Sequence, residues 1–389
     1  MKNLVSNGLQ IYIECGPIVC ESQYSGIPNV NYHLVLDAIK RFGIANVNFF
    51  HGPSILNKKA IEKILIDKNN QAALELSKNG NLFIEELKQS VAKAVHSVGI
   101  FTNSRHNLGR NFDFECQIFH DLTPIITPEF HHQDTIDFHA NEYQKDIELL
   151  DCAICVSEST KSDLVSYLGV ESSRIIVSHL GVTTANDDLD IIPTCLKDIK
   201  VEPYILIIGT IEPRKNHKIL FEYISRNPDV LDSYKIIVVG RNGWSINFEM
   251  LMDTLNHLSP ARRTRVLHLG FVDDCIRTAL ISKASFTVYP SYYEGFGLPV
   301  LESLALGCPV LASFSSSLPE AGGPTCVYFD PDSIDSFELS FKLMEMRLNE
   351  DGSKLRQDAL NWANQFTWEL FCTRIYEEIK PRLVDKGVR

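Results

Sequence analysis

The run Tyr293-Glu294-Gly295-Phe296-Gly297-Leu298-Pro299-Val300-Leu301-Glu302 sets one carboxylate in a glycine-rich loop and a second inside the helix that follows. The preceding Ser285-Phe286-Thr287-Val288-Tyr289-Pro290 is a short β-branched and aromatic run, which predicts a buried strand ending at the proline. From Leu298 onward apolar residues continue at helical spacing, with Pro299 tolerated in the first turn. Strand, glycine loop and helix start together present free backbone N–H groups to an anion. Glu294 stands over that opening. Glu302 lies about two turns further along and reaches different atoms, so the two acids are expected to grip separate parts of a long ligand. Carboxylates take sugar hydroxyls and N–H groups take phosphate, so the chemistry indicated is binding of a hydroxylated, phosphorylated molecule.

A second run, Gly209-Thr210-Ile211-Glu212-Pro213-Arg214-Lys215-Asn216-His217, also follows an apolar stretch. Its glycine turn and adjacent Arg214 and Lys215 put two cations before a helix, at a strand's carboxyl edge. A diphosphate needs that pair: bidentate contact from a guanidinium and a point charge from an ammonium. Earlier in the chain, Ile118-Phe119-His120-Asp121-Leu122-Thr123-Pro124 closes a strand with a histidine, and Asp121 suits a turn or helix cap. Ser25-Gly26-Ile27 precedes a helix carrying Leu34, Val35 and Ile39, with Pro28 stiffening the loop.

The elements that position these residues alternate along the whole chain. Leu9 to Glu14, Ala45 to Phe50, Val98 to Asn103, Cys116 to Phe119, Cys152 to Val156 and Arg174 to Val177 read as strands of a first unit. The polar stretch Thr184 to Lys200 marks a linker. A second series begins at Tyr204, its strands ending at Gly209, Gly240, Gly270, Pro290 and about Ser313, each followed by a helical pattern. Such alternation implies parallel sheets covered by helices on both faces, twice over, with ligands at the carboxyl ends of the strands. The final amphipathic stretch, Phe366 to Lys380, is helical, with Trp368, Phe371, Ile375 and Ile379 on its apolar side.

The glutamate and Arg-Lys runs together resemble the signature of retaining glycosyltransferases of family 4. The resemblance implies an α/β GT-B fold: two doubly wound, Rossmann-like parallel-sheet domains facing across a cleft. The expected division is 1–196 as an acceptor-side domain, 197–365 as a nucleotide-sugar donor domain, and 366–389 as a helix returning to the first domain. It assigns the donor's diphosphate to Arg214, Lys215 and the amides of Gly295, Phe296, Gly297 and Leu298. The base falls near Phe271 and Val272, the transferred sugar at Glu294 and the ribose at Glu302. His120 orients the sugar from the opposite wall, and Gly26 lets phosphate or acceptor approach the backbone. Thr210 stands where some members carry a further arginine, and Pro28 where a second glycine is common. The Glu-Pro-Arg-Lys-Asn-His and His-Asp-Leu-x-Pro runs resemble bacterial polysaccharide mannosyltransferases, which makes GDP-mannose the first donor to consider. The acceptor expected is a hydroxyl of a glycan or a lipid-linked oligosaccharide. Rival readings are a GT-B nucleotide-sugar epimerase or phosphorylase, or a non-catalytic sugar-nucleotide-binding subunit.

Bulk properties narrow the field. At 389 residues the chain accommodates two domains of ordinary size. A net charge of -12, with Asp134, Asp137, Glu142, Asp146, Glu148 and Asp151 set against one Lys145, argues against nucleic acid as a partner. The basic cluster Lys58-Lys59…Lys63 reads as a solvated face, leaving at most peripheral contact with a membrane. Cysteines inside apolar runs and no secretion signal place the protein in the cytoplasm, or at the inner face of the membrane. Cys152-Ala153-Ile154-Cys155 has metal-pair spacing but lies in a strand-like run without a second pair. His131, His132 and His139 sit in an acidic surface context. No metal and no cofactor are expected, because cationic side chains and a helix start meet the diphosphate charge.

Overall fold

A computed structural model describes residues 1–6, 8–21, 26–105, 107–183 and 202–387. The linker expected between Thr184 and Lys200, and Ser25 before Gly26, lie outside them. The chain divides into two units, Met1–Gly181 with Trp368–Arg389, and Val182–Thr367. The first division falls before residue 196 because Val182 N–H donates to Phe366 O at 3.1 Å, tying that segment to the second unit.

The first unit holds β1 (Leu9–Glu14), β2 (Val47–His51), β3 (Ser54–Leu56), β4 (Phe83–Glu86), β5 (His96–Phe101), β6 (Phe114–Phe119), β7 (Cys152–Cys155) and β8 (Ile175–Val177), in the sheet order β4-β3-β2-β1-β5-β6-β7-β8. The central strands are parallel, with Ile13 level with Phe49 on one side and Ile100 on the other. They are largely apolar because both faces are buried, with polar residues such as Glu14, Glu115 and Gln117 tucked in among them. One edge departs from the expected parallel sheet. Gly52, in the left-handed region (φ 53°), and Pro53 turn β2 back into β3, and β3 and β4 pair antiparallel. Neither strand was anticipated: both are very short, and Phe83 and Ile84 of β4 are exposed rather than core residues. β2 also starts later than Ala45, since Ile44–Asn46 form a 3-10 turn.

The Ile27–Phe42 helix buries Val30, Leu34, Val35, Ala38 and Phe42 at helical spacing. The Trp368–Asp385 helix packs on it within the same unit. His33 stacks on Trp368 at 4.3 Å between ring centroids, and Phe42 meets Tyr376 edge-on at 4.9 Å. These contacts account for the apolar spacing of Trp368, Phe371, Ile375 and Ile379, all buried.

The second unit contains β9 (Tyr204–Ile208), β10 (Lys235–Val239), β11 (Val266–Gly270), β12 (Phe286–Tyr289), β13 (Val310–Ser313) and β14 (Val327–Phe329), all parallel, in the order β11-β10-β9-β12-β13-β14. Ile205, Ile207, Ile236 and Val238 join one core, with Phe286, Phe337 and Phe341. Their neighbours Tyr204, Leu206, Ile237 and Val239 join a second core on the other face, with Leu280 and Ala284. Alternate residues thus serve two buried faces, which is why these strands read as unbroken apolar runs. In each sheet the chain order reverses beside one strand: between β1 and β5 in the first, between β9 and β12 in the second. Such switch points open a crevice at the carboxyl ends of the strands.

Candidate active site

The carboxyl ends of β9 and β12 bring the two sequence motifs together. Gly240 allows the loop after β9 to run close to the loop after β10. A Cβ there would lie 1.9 Å from the Gly209 carbonyl oxygen, and its φ of 148° is one side chains rarely adopt. Ile211 N–H donates to Arg241 O at 2.8 Å, which fixes the loop's path. Pro213–Lys215 then form a 3-10 turn, and Tyr292 N–H donates to Arg214 O at 2.8 Å. That last bond joins the loops after β9 and β12 and places both cations beside Glu294.

Lys215 Nζ lies 2.6 Å from Glu294 Oε1, and Arg214 Nη1 lies 3.2 Å from the same oxygen. Arg214 also donates to the Tyr293 carbonyl at 2.7 Å and to Glu212 Oε1 at 2.9 Å, which holds its guanidinium flat across the loop. Lys215 donates to Tyr289 Oη at 2.9 Å. Glu294 is only 9% exposed. Burial pushes its carboxyl up, but the adjacent Lys215 and Arg214 charges outweigh that and hold it at about 2. Burial likewise works against the Lys215 ammonium, and the Glu294 charge raises it above the usual lysine value. Arg214 and Lys215 thus share the Glu294 carboxylate, and Arg214 takes Glu212 as a second partner, so two cations meet two carboxylates at the sheet edge.

The backbone around Glu294 is fastened from the far side. Ser316 Oγ accepts from Glu294 N–H at 2.8 Å, and Ser317 Oγ donates to Glu294 O at 2.8 Å. The Leu298–Ala305 helix begins at Gly297, with no side chain capping it. Gly297 has φ 104°, and a Cβ there would lie 2.7 Å from Leu318 Cδ2, so glycine is required. Leu298 and Gly297 thus put a helix start next to the two cations, and Gly295 and Phe296 complete the loop between it and Glu294. Phe296 is buried, so its backbone is the part suited to a ligand.

Glu302 has a different partner. Its Oε2 accepts from Arg277 Nη1 at 3.0 Å, on the Asp274–Lys283 helix. Burial raises the Glu302 carboxyl, opposed by the Arg277 charge. The two acids therefore sit in separate ion pairs. Phe271 is exposed just beyond β11, with the Arg241 guanidinium 4.7 Å from its ring centroid, a flat platform at the strand edge. Val272 next to it packs on the adjoining core. His268 stacks on Phe248 at 4.7 Å and bonds Gly240 O at 2.7 Å, which gives it a structural task.

In the first unit, His120 Nε2 lies 2.8 Å from the Thr102 carbonyl, so Nε2 carries the proton and Nδ1 faces any further partner as an acceptor. Burial lowers its pKa, against the raising effects of Thr102 and Asp121, which keeps the ring neutral at pH 7. Asp121 Oδ1 accepts from Thr123 N–H at 3.0 Å and Thr123 Oγ1 at 2.7 Å, the turn cap its position suggested. Gly26, with φ 61°, opens the Ile27–Phe42 helix, and a Cβ there would meet nothing within 4 Å. Cys152 and Cys155 are buried in β7. Among the described residues no three His, Cys, Asp or Glu side chains converge as a metal site.

Sequence reasoning missed Arg277, Tyr289 and the serines at 316 and 317. Arg277 gave no signal, since it shares a helix turn with Asp274 and pairs with it at 3.1 Å. Tyr289 lay in a predicted strand, and only its position as the last residue of β12 hinted that its hydroxyl reaches the edge.

The chain is similar to known glycosyltransferases. Residues 197–357 match the family Glycosyl transferases group 1. O-antigen chain mannosyltransferase B of Escherichia coli is 26% identical over 367 residues, covering 89% of this chain and 94% of that protein. Serotype-specific mannosyltransferase WbdA of E. coli is 26% identical over 260 residues, 64% of this chain, which spans only 31% of that longer protein. A solved glycosyltransferase from Rickettsia africae ESF-5 superposes with a TM-score of 0.67 at 16% identity, covering 97% of this chain and 99% of that one. The chain has the GT-B fold, and the glycosyltransferase group 1 match covers its second unit.

Proposed function

We propose that this protein is a group 1 glycosyltransferase, a retaining family 4 enzyme that moves a sugar, mannose from GDP-mannose in the first instance, to a hydroxyl of a growing or lipid-linked glycan. The observation that carries the proposal is the shared clasp of Arg214 and Lys215 on Glu294 beside an uncapped helix start. A donor's diphosphate would meet two cations and backbone N–H groups where charge builds up on the departing phosphate, the placement electrostatic catalysis requires. Glu294 would contact the transferred sugar, Glu302 the ribose, and Phe271 with Val272 the base. Gly26 and His120 are the first unit's contributions, His120 accepting from a sugar hydroxyl through Nδ1. The clasp supplies charge without a metal ion, so transfer is proposed to be metal-independent.

Mannose is favoured by the likeness to two O-antigen mannosyltransferases, and by no residue that reads the sugar's axial hydroxyl. No helix among the described residues is long and apolar enough to cross a membrane. Action at the cytoplasmic face on a lipid-linked acceptor, through peripheral contact at most, completes the proposal. Thermal-shift screening across nucleotide sugars tests the donor, since a ligand bound to the native state raises its melting temperature by mass action. Stabilisation by GDP-mannose above other donors, followed by transfer with retained anomeric configuration, is the expected result. Preference for a UDP-sugar would overturn the donor assignment, and binding without turnover would favour a non-catalytic subunit.

A further inference from the structure

Three side chains without a role in sugar transfer line up where β1 and β2 end. The short helix Gly16–Cys20 follows β1 and reaches both sides of one imidazole ring. At its start, Gly16 N–H donates to Glu14 Oε1 at 2.6 Å, and the same oxygen lies 3.1 Å from His51 Nδ1. A Cβ on residue 16 would fall 2.6 Å from both of those atoms, so glycine is what lets the acid and the ring meet. Thr102 Oγ1 donates to Glu14 Oε2 at 3.1 Å, which holds the carboxylate at its other oxygen. At the end of the helix, Cys20 Sγ lies 3.7 Å from His51 Nε2, across the ring from Glu14.

The tautomer follows from those contacts. Nδ1–H donates to the carboxylate, so Nε2 is the acceptor and the Cys20 thiol its donor. Thiol, imidazole and carboxylate thus stand in the order of a nucleophile, its base and the group that orients the base. Cys20 is exposed, whereas seven of the nine free cysteines among the described residues are buried. Burial and the carboxylates of Glu14 and Glu21 raise the Cys20 thiol, so its resting form is S–H. The hydrogen bond to Glu14 raises His51 above an ordinary imidazole, which makes it a stronger base. The sulfur becomes a nucleophile as it hands its proton to His51.

We infer that Cys20 is a covalent modification site that exchanges with a neutral low-molecular-weight disulfide, His51 acting as base and Glu14 holding the ring. The Cys20 proton passes to His51 Nε2 as Sγ attacks one sulfur of the disulfide. A bond forms between Sγ and that sulfur, the reagent's own S–S bond breaks, and the departing thiolate takes the proton back from His51. Cys20 is oxidised to a mixed disulfide, half of the reagent is reduced to a thiol, and no further oxidant is consumed. Such exchange needs a thiolate, access to its sulfur and a leaving group that departs readily. His51 serves the first need and the last, and the exposure of Cys20 serves the second. Glu14 and Glu21 repel an anionic reagent, hence the neutral class. The inference stands apart from the glycosyl-transfer reading, since it concerns the thiol's own chemistry.

The test is the rate at which each cysteine of the reduced full chain is modified at pH 7, with hydroxyethyl disulfide as the probe and peptide mass mapping as the readout. Cys275, the other exposed cysteine among the described residues, bonds no histidine and is the internal comparison. An ordinary thiol is only a few per cent thiolate at neutral pH, so a base at hand should make Cys20 roughly tenfold faster than Cys275. His51→Asn and His51→Ala should each bring Cys20 down to the Cys275 rate and leave Cys275 unchanged. Cys20→Ser should remove the fast adduct altogether. Equal rates at Cys20 and Cys275 in the wild type, or a fast Cys20 that survives the His51 substitutions, would each overturn the inference. Should one His51 variant fail to fold, the other decides, together with the wild-type comparison of the two thiols. Nucleotide-sugar binding and transfer do not enter the measurement, so a negative result leaves the transferase reading untouched.

Discussion

Replacing Glu294 by Gln tests the clasp most sharply, because it removes a charge and leaves the shape. In the folded protein the Glu294 carboxyl is held at about 2, against its ordinary 4.5. At about 1.4 kcal/mol per unit, the ion cluster favours the charged form by roughly 3 kcal/mol. A depressed carboxyl contributes stability that is present above its unfolded value and is lost as pH falls through the folded one. The contribution is therefore complete at pH 7 and disappears between about pH 5 and pH 2. Glu294→Gln at pH 7 leaves Lys215 and Arg214 without their shared anion, a loss of the same order as breaking a buried pair, about 3–5 kcal/mol. For a unit of this size each kcal/mol shifts the melting temperature by about 2–4 °C. The second unit's transition should fall by roughly 6–20 °C. Wild type and variant should converge as the pH drops from about 5 toward 2.

The same variant separates two sources of the cations' charge partner. A nucleoside diphosphate supplies the anion that glutamine lacks, so it should raise the melting temperature of Glu294→Gln more than that of the wild type. Calorimetry of both proteins, with and without nucleoside diphosphate and from pH 7 to pH 3, reads all of these quantities. A variant as stable as wild type at pH 7, with an unchanged acid profile, would falsify the electrostatic clasp. Loss of nucleoside-diphosphate binding in the variant would show that the diphosphate lies away from Arg214 and Lys215.

The remaining expectations concern catalysis. Lys215→Ala should lose donor binding and about 10²–10³ in turnover, the usual size for one contact to developing charge, and near-wild-type kinetics would move the diphosphate elsewhere. Glu302→Gln should mainly raise the donor KM and Glu294→Gln mainly lower kcat, since uniform binding acts on KM and transition-state contacts on kcat; the reverse pattern would invert the donor pose. Transfer should survive EDTA, and strict dependence on added Mg²⁺ or Mn²⁺ would show that side-chain charge does not suffice.

What the sequence displayed was governed by local spacing. β1 and β9 to β13 were legible because strands buried on both faces are apolar at most positions, and the glycines closing β9 and β10 mark strand ends. The antiparallel edge was not, because β3 and β4 have only three and four residues, too few to carry a pattern, and β4 largely faces solvent. The same distinction holds in the active site. Arg214, Lys215 and Glu294 each stood in a motif, but their mutual contact spans 79 residues of sequence and depends on β9 and β12 being neighbours in the sheet. Arg277 and Glu302 are 25 residues apart and meet for the same kind of reason.

Sheet order thus decides which local motifs become one site, and it bears on both units. At β9 and β12 the switch point gathers Arg214 and Lys215 around Glu294, with Glu212 as the second partner of Arg214, beside a helix start without a side-chain cap. At β1 and β5 it gathers Glu14 with His51, and Arg105 with Glu115, each acid beside a basic side chain. Nothing in the sequence near Arg105 announces that grouping, because Glu115 enters from β6 and Glu14 from β1. One fold feature used twice thus brings together acids and bases that the sequence keeps far apart, and neither grouping is legible until the strand order is known.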